Sequence, residues 1–288
     1  MTIATLIAAG RLDERLLRAA LERLPGGRLL RWIDRGDAAD IETDADRQFV
    51  RASLEGWEEV DVVVHSPGRA EKKLLVADMD STMIGQECID ELADYAGFKP
   101  AVAAITERAM RGQLDFAAAL AERVALLERL SEKQIERCLV ERIRPNPGAE
   151  VLVRTMRARG AMTLLVSGGF TAFVQPVAEE LGFERFEANV LEVREGELTG
   201  RTVGRIVGAE YKRDILENTR AELGLSEDDV MAIGDGANDM GMVEAAGLGV
   251  AYRAKPALVS VADARIEHHG LDALLWAQGI PAAEWISA

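Results

Sequence analysis

The residues of this chain that could do chemistry sit where apolar runs stop. In "LLVADMDSTMIG" the run from Leu74 to Ala77 gives way at once to Asp78 and Asp80, a Ser-Thr pair and a glycine. "MTLLVSGGF" stops at Ser167, Gly168 and Gly169, and "DVMAIGDGAND" stops at a loop carrying Asp235, Asn238 and Asp239. Two acids two apart on an extended strand end project to the same side. If Asp235 and Asp239 join them, each like-charge pair at ~4 Å and an effective dielectric of ~20 costs about 4 kcal/mol. Such a cluster calls for a cation or shared protons. Oxygen-only ligands, with no His or Cys nearby in sequence, favour a hard cation such as Mg²⁺ over zinc. Ser167 with the two glycines offers a hydroxyl and open backbone N–H groups suited to an oxyanion. Each loop alone has an ordinary explanation, since an Asp after a strand is most often a turn residue or helix cap. "GDGANDMG" does not match G-x-G-x-x-G, which argues against a dinucleotide cofactor.

Three such loops need a scaffold that brings them together. Their strands are continuous apolar runs without polar alternation, which suits strands covered on both faces of a parallel α/β sheet. A fourth run, "GLGVAY", follows the helix-like "MGMVEAA". Helical "GAEVLVRTMRARG", "TAFVQPVAEELG" and "EYKRDILENTRAELG" lie between strands, each ending at a glycine that suits a helix stop. This rhythm predicts an α/β fold with a doubly wound, Rossmann-like parallel sheet over 71–84 and 147–288, its ligand site beyond the carboxyl ends of the strands. Residues 85–146 form a helical insertion closed by "RPNPG", an all-helical cap over the crevice. Phe116, Leu120, Val124 and Leu127 recur there at helical spacing as an apolar stripe. Arg123 interrupts that stripe, so its charge needs a partner or must snorkel to water. "EANVLEVREGELTGRTVG", with Glu-Gly and Thr-Gly turn steps, reads as a β-hairpin elsewhere on the core. Residues 1–70 read as a small α/β domain: strand-like "TIATLIAA", amphipathic "LDERLLRAALERL", mixed "RLLRWIDRG" and strand "VDVVVHS", ended by the polar "PGRAEKK".

At 288 residues the chain has room for about two domains. Its 48% hydrophobic and 29% charged residues exclude a disordered or fibrous protein. A net charge of −15 repels nucleic acid and anionic membranes, so an anionic substrate would need a local cationic site, such as a metal with a Lys or Arg. Cys88 and Cys138 have no zinc or disulfide spacing and read as free thiols in a reducing compartment, Cys88 as small core filler. The N-terminus lacks a basic segment before its short apolar stretch, and no apolar run approaches the ~18 residues of a membrane span. A cytoplasmic location is expected. His65, His268 and His269 have no acid or nucleophile nearby in sequence and read as surface or packing residues.

"DMDST", "VSGG", Lys212 in "EYKRD" and "IGDGAND" resemble, in order, the four motifs of the haloacid dehalogenase superfamily of phosphatases. "DSTMIGQECIDELA" followed by "RGQLDFAAALAERVALLERL" resembles the phosphoserine phosphatase branch of that superfamily. The resemblance covers roughly Lys73 to Ile266 and leaves out the N-terminal domain, whose pattern is loosely ACT-like, compatible with a ligand-binding or dimerising module and hence a homodimer. It implies that Asp78 is the nucleophile, forming an aspartyl-phosphate, and that Asp80 is general acid and then base. It implies one Mg²⁺ per active site, held by the side chains of Asp78 and Asp235 and the backbone carbonyl of Asp80, with Asp239 supporting Lys212 or a metal-bound water. Ser167, Gly168 and Lys212 would hold the phosphoryl oxygens. Arg123 would take a substrate carboxylate, which suits a planar guanidinium, and Glu87 the ammonium. Asn238 would add a substrate or phosphate contact. Without the resemblance, Lys212 reads as a solvated helix residue and Glu87 as an ordinary acid near a helix start.

The implied reaction is Mg²⁺-dependent hydrolysis of O-phospho-L-serine to L-serine and phosphate, the last step of serine synthesis. Two other readings stay open: transfer of the phosphoryl group to homoserine or another small alcohol, and an amino-acid-binding regulator.

Overall fold

The computed structural model describes residues 1–65, 71–110 and 113–287; the Pro-Gly turn signal at 67–68 and positions 111–112 of the cap lie outside them. Residues 1–65 form β1 (Thr2–Leu12), α1 (Glu14–Glu22), β2 (Arg28–Asp34), β3 (Gly36–Thr43), α2 (Arg47–Leu54) and β4 (Asp61–His65). Asp13 and Asp46 start the two helices by accepting from the N–H groups of Leu16 and Phe49 at 2.7 and 2.8 Å. The strands pair antiparallel in the order β2-β3-β1-β4, a ferredoxin-like arrangement.

After β5 (Leu74–Ala77) come the cap helices α3 (Cys88–Tyr95), α4 (Lys99–Met110), α5 (Phe116–Ala125) and α6 (Glu132–Arg142). The chain then runs through α7 (Ala149–Ala158), β6 (Met162–Phe170), α8 (Thr171–Leu181), β7 (Arg185–Arg194), β8 (Glu197–Val203) and α9 (Ala209–Glu222). It ends with β9 (Val230–Gly234), α10 (Met240–Glu244), β10 (Leu248–Tyr252), α11 (Pro256–Val259), β11 (Ala264–Ile266) and α12 (Ala273–Ala277). Strands β11-β10-β9-β5-β6-β7 are mutually parallel, the doubly wound core that the apolar runs predict. Leu75 and Ala77 bury against Leu152, Met156 and Phe173 of α7 and α8, while Leu74 and Val76 bury against Leu216 and Met242 of α9 and α10. Both faces of β5 are therefore covered, and no polar residue is tolerated along it.

One connection was not legible beforehand, and one expected element differs in its detail. First, β4 pairs antiparallel with β11 at Val62 and Arg265, so the N-terminal strands and the core strands form one 11-stranded sheet. Asp61 ties this seam: its carboxylate accepts from the N–H groups of Glu267, His268 and His269 at 3.0–3.1 Å and from His269 Nδ1 at 2.8 Å. His269 Nε2 in turn accepts from Ala9 N–H at 3.0 Å. His269 thus has an acid partner after all, 208 residues away in sequence. Burial raises the Asp61 carboxyl, but the His269 bond and the backbone donors outweigh it and hold the group below its ordinary 3.8. A carboxylate depressed in the folded state contributes stability above its unfolded value and loses it as pH falls through the folded one. At neutral pH Asp61→Ala, which strands several buried donors, lowers unfolding free energy by about 3 kcal/mol, readable as a reduced urea midpoint.

Second, the β7–β8 hairpin turns only at Glu195-Gly196, where both residues have positive φ (54° and 81°), as a type I′ turn requires. The Thr-Gly step stays inside β8, where Gly200 lets the strand pass close to Ala125 and Glu128. Leu198 exchanges backbone hydrogen bonds with Arg129 and Leu130 at 2.8 Å. The hairpin is therefore the shelf on which the end of α5 rests.

Candidate active site

The site is assembled at the carboxyl ends of β5, β6, β9 and β10. Asp78 N–H donates to Ile233 O at 2.9 Å, one step beyond β5. The backbone stays extended through Asp80 (ψ of 156° at Asp78 and 134° at Asp80), so both carboxylates line the crevice while Met79 is buried on the other side. Ser81 then takes a left-handed conformation at φ 56°, a local strain that turns the chain sharply. Its Oγ donates to Glu87 Oε1 at 2.8 Å, holding Glu87 beside the crevice, while Glu91 and Asp94 pair with Arg142 instead.

Behind this pair lies a buried ionic core. Lys212 Nζ reaches Asp78 Oδ1 at 2.6 Å and Asp239 Oδ1 at 2.7 Å, and its side chain is 1% exposed. Asp239 Oδ2 accepts from the N–H groups of Asp235 and Gly236 at 3.2 and 3.1 Å. A Cβ on Gly234 would fall 2.5 Å from Asp239 Cβ, so glycine is required for this approach. Burial alone would lower the Lys212 ammonium, but the fields of Asp239 and Asp78 outweigh it and raise it, so the lysine stays charged. On β6, Ser167 Oγ accepts from Gly169 N–H at 2.9 Å, and the Gly168 carbonyl is held by Asn189 at 2.9 Å. A Cβ on Gly169 would sit 3.1 Å from Asp80 Oδ2.

Asp78, Asp80, Glu87, Arg123, Gly168, Asp235 and Asn238 line one cavity of about 150 Å³. Ser167, Lys212 and Asp239 lie behind it, each fully buried. Arg123 Nε donates to Ala119 O at 3.2 Å, and the guanidinium makes no ion pair among the described residues. The charge that interrupts its helix's apolar stripe is thus aimed at the cavity. Asp80 is pushed up to about 7, first by burial, then by the field of Glu87, against the Cys88 N–H that donates to it at 3.2 Å. A carboxyl near neutrality can both give and take a proton.

Asp78, Asp235 and Asp239 each offer an oxygen within 4.8 Å of the others. An all-oxygen, anionic donor set fits a hard divalent cation.

Ile89, Phe116, Leu120, Phe170 and Lys255 also line the cavity without having been read as site residues from the sequence, and two of them bear on its chemistry. Phe116, expected within the cap's buried stripe, is 40% exposed, and its ring lies over Gly168 and Gly208 at the cavity. Leu120, Val124 and Leu127 are buried as expected. Phe116 differs because it is the first helical residue after the Asp115 cap, before the stripe enters the core. Lys255, in the loop after β10, also lines the cavity. The rule that ligands bind beyond strand ends, applied to the fourth apolar run, would have pointed to it. Cys88 and Cys138 are buried free thiols, and neither lines the cavity, although Cys88 lies directly behind Asp80.

The family model for haloacid dehalogenase-like hydrolases matches residues 75–244, and the chain belongs to that family. A phosphoserine phosphatase from Albidiferax ferrireducens is 48% identical over 208 residues, covering 70% of this chain and 88% of that protein. Within the family the chain therefore belongs with the phosphoserine phosphatases. Among solved structures, a haloacid dehalogenase family hydrolase from Salmonella enterica serovar Typhi superposes with a TM-score of 0.87 at 26% identity, covering 96% of this chain and 98% of that one. A probable phosphoserine phosphatase from Vibrio cholerae, in unliganded form, gives 0.80 at 30% identity, covering 95% and 85%. Coverage of this extent takes in the N-terminal strands as well as the core. No helix among the described residues is long and apolar enough to cross a membrane.

Proposed function

We propose that the protein hydrolyses O-phospho-L-serine to L-serine and phosphate, closing L-serine synthesis, with Mg²⁺ as its cofactor. The observation that carries this reading is a single small cavity with opposed charges. Asp78 and Asp80 stand at its base, while Arg123 and Glu87 enter from the cap side as an unpaired cation and an anion. A zwitterion with a phosphate at its far end matches that distribution: the carboxylate meets Arg123, the ammonium meets Glu87, and the phosphate meets Lys212 together with the cation that Asp78 and Asp235 would hold.

In the first step an oxygen of Asp78 attacks phosphorus, the bond from phosphorus to the seryl oxygen breaks, and Asp80 gives its proton to that oxygen. In the second step Asp80 takes a proton from water, the water oxygen bonds to phosphorus, and the Asp78–phosphorus bond breaks. Lys212, Ser167 Oγ and Gly168 N–H hold the non-bridging oxygens as charge redistributes. Lys212 also neutralises Asp78 before attack, at 2.6 Å. Asp78 and Asp235, with the Asp80 carbonyl, would hold Mg²⁺, which supplies charge neutralisation on the phosphoryl group when bound. Asp239 is engaged by Lys212 and two backbone N–H groups, which supports its positioning role.

The carboxylate reading makes a substrate-specific prediction. Arg123→Ala raises KM for phosphoserine about 10- to 100-fold, the value of a lost charged hydrogen bond. For p-nitrophenyl phosphate, which has no carboxylate, KM stays within about twofold. Parallel steady-state kinetics on the two esters read the difference, and equal losses on both would refute the assignment. A homodimer is supported by the outer edge of β2, where Leu29 and Leu30 are 37% and 49% exposed. Light scattering of the full chain reads it directly, and a monomer mass would end it.

A further inference from the structure

Arg123 and Lys255 are the cations that line the cavity among the described residues, and the proposed steps leave Lys255 without a role. Its backbone is fixed: Lys255 N–H donates to the Asp235 carbonyl at 2.8 Å, and Pro256 opens α11 immediately afterwards. Its ammonium lies 3.2 Å from Asp235 Oδ2. The strongest charges acting on it are acidic, namely Asp235, Glu87 and Asp239. The two lysines of the site are therefore unlike. Lys212 is 1% exposed and clamped by two carboxylates, whereas the Lys255 side chain is 67% exposed and holds one carboxylate from the solvent side.

The site must take up two ions of opposite sign, a divalent cation at Asp78 and Asp235 and a phosphomonoester dianion beside them. The second is opposed by a chain of net charge −15. A fixed positive charge at the mouth acts on the two with opposite sign. It repels the cation and competes for Asp235, and it attracts the dianion.

We propose that Lys255 sets the balance between these ions, weakening the site's hold on its divalent metal and strengthening its hold on the phosphomonoester. This rests on the phosphatase reading above. Because Lys255 is largely exposed, water and salt screen it, and each effect is modest, about three- to tenfold.

The test uses the full-length protein with Lys255→Met, which keeps the apolar stem, and Lys255→Arg, which keeps the charge. Calorimetric titration with Mg²⁺ alone, then with inorganic phosphate at saturating Mg²⁺, gives the two dissociation constants. In Lys255→Met, Mg²⁺ binds about three- to tenfold tighter and phosphate about three- to tenfold weaker, and the salt dependence of phosphate binding flattens. Lys255→Arg stays close to wild type in both. If both ligands weaken together, Lys255 is merely holding the loop; if neither constant moves, it has no electrostatic part. Either result overturns the proposal. Wild-type turnover of phosphoserine is measured alongside, and its absence would sink the phosphatase reading separately from the assignment of Lys255.

Discussion

Asp78→Asn leaves a folded protein with turnover reduced roughly 10⁵-fold or more, because an amide oxygen does not attack phosphorus and no other group stands in its place. The substitution is nearly isosteric, and Lys212 keeps Asp239 as a partner at 2.7 Å. Removing a negative charge from a buried set that includes Asp239 and Asp235 relieves repulsion, so the thermal midpoint stays level or rises. Retained phosphate release in this variant would contradict the covalent mechanism and reopen the reading of the chain as an amino-acid-binding regulator. Unfolding of the variant would instead locate the role of Asp78 in the scaffold. Circular dichroism beside the kinetics separates these outcomes.

Asp80→Asn loses about 10²- to 10⁴-fold in kcat on phosphoserine, the usual worth of a positioned acid and base. The two steps are hit unequally on a different ester. p-Nitrophenolate leaves without a proton, so Asp78 is still phosphorylated, while water is no longer deprotonated. The variant therefore releases about one equivalent of nitrophenol per site in a burst and then slows, a pattern that stopped-flow absorbance resolves. The wild type has a matching pH signature. An acid raised to about 7 holds its proton below that pH and loses it above. With phosphoserine, kcat/KM falls as pH climbs through about 7, and with p-nitrophenyl phosphate this alkaline fall is absent. A fall of equal size on both esters would remove Asp80 from leaving-group protonation.

The loops that line the cavity were readable from sequence because each follows an apolar run whose two faces are buried, and a change from such a run to clustered polar residues is abrupt. β3, "GDAADIET", was missed because its alanines and acids carry no strand signal of their own. It is a strand because β1 and β2 pair with it on both sides. The seam at Val62 and Arg265, and the Asp61–His269 pair, join residues more than two hundred positions apart, and no local pattern encodes that. Within the site, no local pattern shows what raises the Asp80 carboxyl. Burial is the larger cause and Glu87 the second, because the cap encloses the group. Glu87 itself reads from the sequence as an ordinary acid near a helix start. It departs from Glu91 and Asp94 because the left-handed turn at Ser81 brings a hydroxyl to it. Arg123 was the reverse case: a charge out of place in an apolar stripe announced itself, and it makes no ion pair among the described residues and lines the cavity.

The central claim, an aspartate-based phosphatase that reads phosphoserine through a divalent cation site, is tested most directly by steady-state phosphate release from a panel of phosphomonoesters with and without Mg²⁺. The expected result is the highest kcat/KM on O-phospho-L-serine, at least about tenfold above esters lacking the carboxylate or the ammonium, with activity lost in chelator and restored by Mg²⁺. Equal rates across the panel, or full activity in chelator, would contradict it.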